Sequence, residues 1–328
     1  MNYRELGKTG YRVSEIGFGA WAIGGSWGEV TEDNALLALR AAISEGVNFI
    51  DTADVYGDGL SEKRIAKVLQ DYSGERIYVA TKAGRRLNPH VASGYSYANL
   101  SQFIERSLQN LGLEALDLVQ LHCPPTEVFR RDETFAALDK LKAEGKIREY
   151  GVSVETVEEA KLAMNYPGVA SIQIIYNMFR LKPALELFDT AKANEVGIIA
   201  RVPLASGLLS GKMTKDQEFA KDDHRNFNRH GESFDVGETF SGVDFETGVD
   251  AADELKKLVP EGKTLAQFAL KWILMHPAVS TVIPGAKNAE QAIANARASE
   301  LEAIQPSAMR EVRRVYDEKI RALVHDKW

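Results

Sequence analysis

The chain has 328 residues, of which 45% are hydrophobic and 27% charged. These values are ordinary for a globular protein, and a chain of this length can bury a large core without cross-links. Forty basic and 47 acidic residues give a net charge of −7. That charge disfavours sequence-blind nucleic-acid binding, which needs an excess of lysine and arginine, so no nucleic-acid partner is expected.

Cysteine usage and the chain start bear on the compartment. Cys123 is the only cysteine, which excludes an intramolecular disulfide and a cysteine metal cluster, and no other metal-ligand spacing occurs. Residues 1–17 are polar and lack the apolar region of a signal peptide. No apolar run approaches the ~20 residues that span a bilayer. We expect a cytoplasmic protein with no bound metal and no membrane partner.

Short apolar runs alternate with segments of helical periodicity along most of the chain. Residues 1–14 come first, and two short polar stretches around Gly7–Gly10 predict a hairpin that plugs one end of the fold. The runs that predict strands are Ile16–Phe18, Asn48–Ile50, Ile77–Thr81, Leu116–Leu121, Tyr150–Val154, Ser171–Ile175, Gly197–Val202 and Thr281–Ile283. Residues 35–43 and 100–111 are typical of the intervening amphipathic helices.

Two later segments have helix signals of their own. Thr264 and Gln267 have the spacing of a capping box, which predicts that a helix begins there. Residues 306–323 place apolar side chains at helical spacing and predict an extra helix packed outside the main fold.

Strict alternation of strand and helix implies parallel strands with crossover helices, and eight such units favour closure into a barrel. The alternative is an open doubly wound sheet, whose first turn usually reads Gly-x-Gly-x-x-Gly. Here Gly17 and Gly19 are present, but Ala22 stands where the third glycine would be. We therefore predict an α/β fold, a (β/α)8 TIM barrel forming one domain over residues 1–328, with an N-terminal β-hairpin plug and a C-terminal extra helix.

The segment 213–249 breaks the alternation, because it is long, polar and glycine-rich and has no period. It follows the seventh strand, on the face where barrel active sites lie. Such a segment is typical either of a lid or specificity loop or of a mobile surface insertion. The sequence leaves both interpretations open.

Ionisable side chains end three successive predicted strands. Asp51 ends the second strand and Tyr56 follows in the next loop, Lys82 ends the third, and His122 ends the fourth. Taken singly, each has an ordinary structural interpretation as a turn former, a surface charge or a core residue. Because barrel strand ends converge on one mouth, the four together predict a catalytic site.

Each of these groups has a role in carbonyl reduction. Hydride arriving at a carbonyl carbon leaves negative charge on the oxygen, which then needs a proton. The Tyr56 hydroxyl, with an ordinary pKa of ~10, is a reluctant donor, and the Lys82 ammonium is expected to lower that pKa. Asp51 would keep a buried Lys82 charged, and His122 would hydrogen-bond the substrate oxygen.

With these residues in place, the sequence resembles the aldo-keto reductase superfamily over essentially its whole length. The matching segments are Gly17–Gly19, Asn48–Gly57, Val79–Lys82, Asp117–His122, Tyr150–Ser153, Gln173–Asn177, Pro203–Lys212 and Ile283–Asn295. The resemblance implies the catalytic tetrad Asp51, Tyr56, Lys82 and His122. It also implies NADPH-dependent reduction of aldehydes or ketones to alcohols, with Tyr56 as general acid.

The family further implies an extended nicotinamide cofactor, NADPH or NADP+, with NADH possible. Ser153 and Gln173 are suited to the carboxamide of the nicotinamide, and Asp51 and Thr52 lie where the family contacts its ribose. The segment after strand seven offers backbone N–H groups and a charge to the pyrophosphate. The candidates in it are Pro203, Leu204, Ser206, Gly207, Leu208 and Lys212.

Strand eight runs into Gly285 and Lys287 and then into a helix, an arrangement suited to a phosphate. By resemblance this is the site of the adenosine 2′-phosphate, which favours NADPH over NADH. Gln291 and Asn295 fall on one face of that helix and resemble the family's adenine-contacting pair.

Two positions depart from the family pattern. Val154 follows Ser153, where many members have asparagine, so the resemblance does not carry over one of the family's carboxamide contacts. Arg201 ends strand seven, where many members stack an aromatic ring on the nicotinamide. A planar guanidinium can also stack, but it can equally meet a substrate anion or the pyrophosphate.

The substrate is expected to be a small carbonyl compound or sugar. Trp21, Trp27 and Phe129 follow strands one and four and are candidates for the wall of its pocket, with ordinary packing as the alternative for each. The sequence indicates neither the substrate itself nor the oligomeric state.

Two other functions remain open. One is a non-catalytic nicotinamide-binding redox sensor or regulatory subunit on the same scaffold, like the potassium-channel β subunits, some of which lack the strand-four histidine. His122 is present here, which favours the enzyme. The other is a barrel enzyme acting on a phosphorylated substrate, with Lys287 binding the substrate's phosphate.

Overall fold

Eight parallel strands form the centre of the computed structural model, which describes residues 1–25, 28 and 30–328. Two strands of a separate hairpin precede them, β1 (Tyr3–Glu5) and β2 (Arg12–Ser14). The eight central strands are β3 (Phe18–Gly19), β4 (Phe49–Asp51), β5 (Tyr78–Ala83), β6 (Leu116–His122), β7 (Ile147–Ser153), β8 (Val169–Ile175), β9 (Gly197–Arg201) and β10 (Val279–Val282). From β3 to β10, each strand pairs in parallel with the next along the chain. All eight predicted strand positions are confirmed, with small shifts at their ends.

The sheet closes on itself between its first and last strands. Parallel bridges join Ile16 to Val282 and Gly19 to Gly285, and the backbone N–H of Gly17 donates to the Val282 carbonyl at 2.8 Å. An open doubly wound sheet has no such pairing between its two edges. The predicted (β/α)8 barrel is therefore confirmed.

Helices follow the barrel strands and cover the outside of the sheet. They are α1 (Glu32–Ser44), α2 (Leu60–Gln70), α3 (Tyr97–Leu111), α4 (Asp132–Ala143), α5 (Val157–Ala163), α6 (Lys182–Glu186), α7 (Phe188–Ala193), α8 (His224–Phe227), α9 (Phe245–Lys256), α10 (Leu265–Leu274), α11 (Ala289–Ala296), α12 (Pro306–Val315) and α13 (Arg321–Val324). The capping box of Thr264 and Gln267 does begin α10. The predicted extra helix is α12, joined to α13 by one π-helical turn. Within the described residues, no helix has the length and apolar character to cross a membrane.

The hairpin of β1 and β2 seals the amino-terminal end of the barrel, as predicted. Its strands pair antiparallel around a short 3-10 turn, and Leu6 and Val13 pack against side chains of the barrel interior. Gly7 permits this close approach, because a Cβ at Gly7 would lie 2.3 Å from the backbone nitrogen of Gly197. Its φ of 51° is also one that favours glycine.

Alternation along the strands decides which residues reach the opposite end. An apolar layer inside the barrel, against the hairpin, includes Phe49, Ala80, Leu118 and Ile199. Side chains two positions further along a strand point to the same face, one level higher. At that level stand Asp51, Lys82, Gln120 and Arg201. The barrel thus changes from apolar to ionisable at its carboxyl-terminal mouth.

The segment 213–249 lies over this mouth. Its ring contacts with Trp21 come from His224, with ring centroids 4.7 Å apart, and from Phe234, at 5.8 Å. Residues 239–241 are buried within the fold, whereas most residues of 214–222 are exposed. One part of the segment is therefore integral to the mouth, and its role as a lid stays a prediction.

Candidate active site

The four residues predicted as a tetrad meet at the mouth of the barrel. The Lys82 ammonium donates to Asp51 Oδ2 at 2.5 Å, to the Thr52 carbonyl at 2.9 Å and to Tyr56 Oη at 3.3 Å. The rings of Tyr56 and His122 meet edge to face, with centroids 5.9 Å apart. One buried ammonium thus connects the carboxylate to the phenol, and the imidazole lies beside the phenol.

Strand register sets this geometry. Asp51 pairs with Ala80, two residues before Lys82, so both side chains point into the barrel from adjacent strands. The amide nitrogens of Gln120 and Gln173 donate to Asp51 Oδ1, at 3.1 Å and 2.7 Å. Both oxygens of the Asp51 carboxylate are therefore held, which fixes the side chain that holds Lys82.

Lys82 keeps its proton in spite of complete burial. Burial by itself lowers the pKa of Lys82, but Asp51 and Tyr56 outweigh it and the pKa ends above its ordinary value. The predicted need for a carboxylate partner is met, and the residue is an ammonium at neutral pH.

The expected lowering of the Tyr56 pKa does not occur in this structure. Burial raises the pKa of Tyr56 to about 12, because it outweighs the opposing effect of Lys82, and Asp51 raises it further. The phenol is therefore fully protonated at neutral pH. The ammonium acts to limit the rise in pKa rather than to bring the pKa below its ordinary value.

His122 ends β6 as a neutral imidazole. Burial, with the nearby cations Arg85 and Lys82, lowers its pKa well below the ordinary value. Its Nδ1 atom is buried and has no hydrogen-bond partner among the described residues. A neutral imidazole is a poor proton source but can donate a hydrogen bond from one ring nitrogen. His122 is thus suited to orienting an oxygen beside Tyr56.

Of the residues predicted to form the pocket wall, Trp21 lies beside the tetrad, and the wall itself stays a prediction. Trp21 stacks on Tyr56 with ring centroids 6.0 Å apart, so it does line the mouth. Phe129 is 2% exposed and lies in the main hydrophobic core, and no described contact joins it to the tetrad. Trp27 falls outside the described residues. His224 and Phe234 of the segment 213–249, which sequence reasoning missed, also contact the Trp21 ring.

The candidate nicotinamide residues lie beside the tetrad, with one exception. Ser153 and Gln173 pair directly across β7 and β8, and both are buried. Thr52 presents its carbonyl to Lys82, but its hydroxyl lies 2.8 Å from the Ser61 hydroxyl, inside the fold. Thr52 therefore has only its backbone at the site.

The predicted pyrophosphate segment forms an irregular 3-10 turn, Ala205–Ser210, in which Ser206 and Gly207 have φ values of 54° and 100°. The Ser206 hydroxyl donates to the Glu238 carbonyl at 3.3 Å and accepts from the Phe240 backbone N–H at 3.1 Å. The turn is therefore bonded to the segment 213–249. Its other candidate positions are Pro203, Leu204 and Leu208, of which Leu208 is buried in the core.

A cavity of about 300 Å³ lies between this turn and the segment 213–249. Ser210 and Lys212 line it on one side, and Asp223 and Arg225 line it on the other. Lys212 thus borders an open space next to the turn. A lysine that binds a phosphate group needs such a space.

The candidate 2′-phosphate site is braced by the residues that were predicted to contact adenine. Asn288 caps α11, Gln291 Oε1 accepts from the Lys287 backbone N–H at 2.9 Å, and Asn295 donates to the Gly285 carbonyl at 3.0 Å. Burial, followed by Arg225, lowers the pKa of Lys287. Arg225 is itself paired with Asp223, which also acts on Lys287. A lysine just before a helix start is an arrangement that suits a phosphate.

Two carboxylates that sequence reasoning missed reach the mouth from the segment 213–249. Asp235 accepts two hydrogen bonds from the Arg85 guanidinium, both at 2.8 Å. Glu238 pairs with Arg201, which also donates to the Val154 carbonyl at 3.1 Å. An acidic residue in a polar segment without a period looks the same in sequence as a solvated one, so no local signal could have found this pair.

A third acidic group shares a proton with Asp235. The carboxyl of Glu155, just after β7, hydrogen-bonds Asp235, and burial raises the pKa of Glu155 to about 9. Burial also opposes ionisation of Asp235, but Glu155 and Arg85 outweigh it and lower the Asp235 pKa below its ordinary value. Glu155 is therefore protonated at neutral pH and donates to an ionised Asp235.

Comparison with known proteins agrees with this geometry. The family model described as "Aldo/keto reductase family" matches residues 15–317. Aldo-keto reductase YhdN of Bacillus subtilis (strain 168) is 32% identical over 296 residues, covering 89% of this chain and 86% of that one. The chain therefore belongs to the aldo/keto reductase family, and it is an oxidoreductase by family.

Two further matches show the range of proteins that this chain resembles in fold and in sequence. An aldo-keto reductase from Klebsiella pneumoniae, solved in complex with NADPH, aligns with a TM-score of 0.71 at 24% identity, covering 96% of this chain and 95% of that one. A probable voltage-gated potassium channel subunit beta of Oryza sativa subsp. japonica is 30% identical over 316 residues, covering 91% of each chain. The chain thus shares its fold with the Klebsiella protein and is similar in sequence to a probable channel subunit.

Proposed function

We propose that this protein is an NADPH-dependent reductase of aldehydes or ketones, with Tyr56 as the proton donor. The single observation that carries the proposal is the Lys82 ammonium, which hydrogen-bonds both Asp51 and Tyr56 in one pocket beside His122. This arrangement holds a protonated phenol, a cation and a neutral donor around one point. That is the set of groups a carbonyl oxygen needs while it gains negative charge.

Each of the four tetrad residues has a separate role in carbonyl reduction. NADPH, when bound, supplies the hydride that reaches the carbonyl carbon. Tyr56 Oη gives its proton to the carbonyl oxygen, and the phenolate left behind is stabilised by the Lys82 ammonium 3.3 Å away. His122 orients the oxygen by a hydrogen bond, and Asp51 holds Lys82 in place. In alcohol oxidation the same groups act in reverse, with phenolate as the base.

The chain offers groups that suit each part of NADPH. The amide nitrogen of Gln173 is committed to Asp51 and Gln120, which orients its oxygen as an acceptor for a carboxamide. The irregular turn Ala205–Ser210 and Lys212 suit the pyrophosphate. Lys287, before the amino terminus of α11, suits the 2′-phosphate.

A second candidate is a nicotinamide-binding sensor or regulatory subunit, which the similarity to a potassium channel subunit favours. The intact set of Asp51, Tyr56, Lys82 and His122 supports the enzyme instead. A panel of aldehydes, ketones and sugars separates the two functions, since a sensor would bind NADPH but never oxidise it. The cytoplasmic location stays a prediction.

Replacement of Tyr56 by phenylalanine tests the proton donor. Tyr56→Phe keeps the ring against Trp21 but removes the hydroxyl, so reduction should fall by about 10² to 10⁴-fold, while the NADPH dissociation constant should change little. Tyr72→Phe, on the exposed surface, is the matched control. A Tyr56→Phe enzyme with full activity would refute the assignment of Tyr56, and a wild-type protein inert towards the whole panel would favour the sensor.

A further inference from the structure

Among the described residues, three buried or partly buried cation–carboxylate pairs lie around the tetrad at the mouth of the barrel. Lys82 pairs with Asp51 inside the barrel, and two more pairs join the barrel to the segment 213–249. They are Arg85 with Asp235 and Arg201 with Glu238. Each pair has no net charge, whereas Arg180, a further buried cation bonded to the segment, has only backbone carbonyls as hydrogen-bond partners among the described contacts.

Arg201 is the member of these pairs that lies on the side of the proposed carboxamide site, next to the strand end that carries Ser153. It ends β9, is 7% exposed, and donates to Val154 O at 3.1 Å. One guanidinium nitrogen also lies 3.7 Å from Cys123 Sγ, and that sulfur lies 3.5 Å from the hydroxyl of Ser153. Cys123 directly follows His122. Arg201 therefore adjoins the space between the tetrad and the proposed carboxamide site.

A cation in this position interacts differently with the two forms of the cofactor. Hydride transfer turns the neutral ring of NADPH into the positively charged ring of NADP+. An unbalanced arginine near that ring would weaken the binding of NADP+ and leave that of NADPH nearly unchanged, and burial strengthens the effect. Arginine cannot avoid this by releasing its proton, since its pKa is too high.

We infer that Glu238 acts on the cofactor through Arg201. By neutralising the guanidinium, Glu238 lets the site bind NADP+ about as readily as NADPH. The inference rests on the proposed function, because it needs a nicotinamide ring beside Arg201. It assigns to a residue of the segment 213–249 a role in the balance between the two redox forms, and hence in the direction in which the enzyme works.

The segment stays in place without the charge of Glu238, which makes the inference testable. The Arg180 guanidinium donates to the Gly237 carbonyl at 3.1 Å and to the Ser241 carbonyl at 2.9 Å. Asn177 donates to the Ser241 hydroxyl at 2.8 Å. Substitution of Glu238 by glutamine keeps its shape and leaves all of these bonds intact.

The test compares dissociation constants for NADP+ and NADPH, measured by isothermal titration calorimetry at one fixed ionic strength. In Glu238→Gln the ratio of the NADP+ constant to the NADPH constant should rise by about tenfold. Glu238→Asp keeps the negative charge, so its ratio should stay close to that of wild type. The double variant Arg201→Met/Glu238→Gln, which is neutral again, should return the ratio to within about twofold of wild type.

Glu232→Gln, an exposed change in the same segment, is the control and should leave the ratio unaltered. Equal weakening of both nucleotides in Glu238→Gln would show a merely structural role and overturn the inference. A raised ratio of the NADP+ to the NADPH dissociation constant that persists in the double variant would also overturn the inference. If the wild-type protein binds neither nucleotide, the proposed function itself fails, which is a distinguishable result.

Discussion

Lys82 and Arg201 are both buried cations on the inner face of the barrel, yet their carboxylate partners come from different parts of the fold. Asp51 lies on the neighbouring strand β4, where sheet register places it. Glu238 comes from the segment 213–249, which folds back over the mouth. The barrel thus builds the reacting groups from adjacent strands, while an irregular segment supplies the charges around them.

The segment is held to the barrel at several strand ends, which makes its carboxylates a fixed part of the site. Asp235 is bound by Arg85 after β5 and by Glu155 after β7. Ser206 after β9 bonds the backbone on both sides of Thr239. A partner that comes from such a segment depends on these anchors, whereas a partner within the sheet depends on strand pairing and on side chains of neighbouring strands.

The largest effect should follow from breaking the pair inside the sheet. Lys82→Met leaves the Asp51 carboxylate buried without its cation, so we expect a loss of about 3–5 kcal/mol in the free energy of unfolding. Reduction should fall by at least about 10³-fold, because Tyr56 loses the charge that stabilises its phenolate. Urea unfolding and steady-state kinetics measure the two effects.

The matched control for this change is Lys142→Met, which removes the surface pair of Lys142 with Glu149. Exposed pairs contribute about 0–1 kcal/mol, so this variant should remain close to wild type in both measurements. If Lys82→Met were no less stable than the control, the sheet pair would not differ from a surface pair, and the comparison would be wrong.

The difference between the two regions also explains how much the sequence could predict. Strand positions and the tetrad follow from apolar periodicity and from the rule that barrel strand ends converge, so Asp51, Lys82 and His122 could be placed without coordinates. Asp235 and Glu238 could not be placed, because their segment has no period and its path depends on tertiary contacts. Phe129 shows the same limit, since a loop aromatic gives no sign of which side it faces.

The direction of the Tyr56 pKa shift was also beyond the sequence. The neighbouring ammonium could be predicted, and it does act to lower the pKa. The larger effect is burial, which raises the pKa to about 12. How deeply a side chain is buried is set by packing of the whole mouth, including Trp21 on the Tyr56 ring.

A smaller effect is expected at the boundary between the two regions, at Lys287. The residue belongs to the barrel, but Arg225, Asp223 and Asp222 of the segment are close enough to act on its pKa. Lys287→Ala should weaken NADPH about 10- to 100-fold, the worth of one charge-assisted bond to phosphate, and leave NADH nearly unchanged. Titration of both nucleotides by tryptophan fluorescence measures this, with Lys63→Ala as the surface control.

Equal losses for the two nucleotides would remove the 2′-phosphate from Lys287 and would favour the interpretation in which the lysine binds a substrate phosphate. Because Lys287 is only half-buried, the loss of NADPH affinity should also shrink as salt is added. A salt-independent loss would point to packing rather than charge.

The smallest expected effect concerns Glu155, whose proton links the segment to β7. Its folded pKa of about 9 lies well above the value of 4.5 for a free side chain. Between these values the unfolded chain releases the proton that the folded chain keeps, so this group makes the protein less stable as pH rises from about 5 to 9. Glu155→Gln donates the same hydrogen bond without a titrating proton. The Tm of this variant should therefore equal that of wild type near pH 5 and exceed it by a few degrees at pH 8.

The control is Glu158→Gln, exposed on α5, which should have the wild-type Tm at every pH. If the Tm curves of Glu155→Gln and wild type ran parallel across this pH range, Asp235 would be held by Arg85 alone.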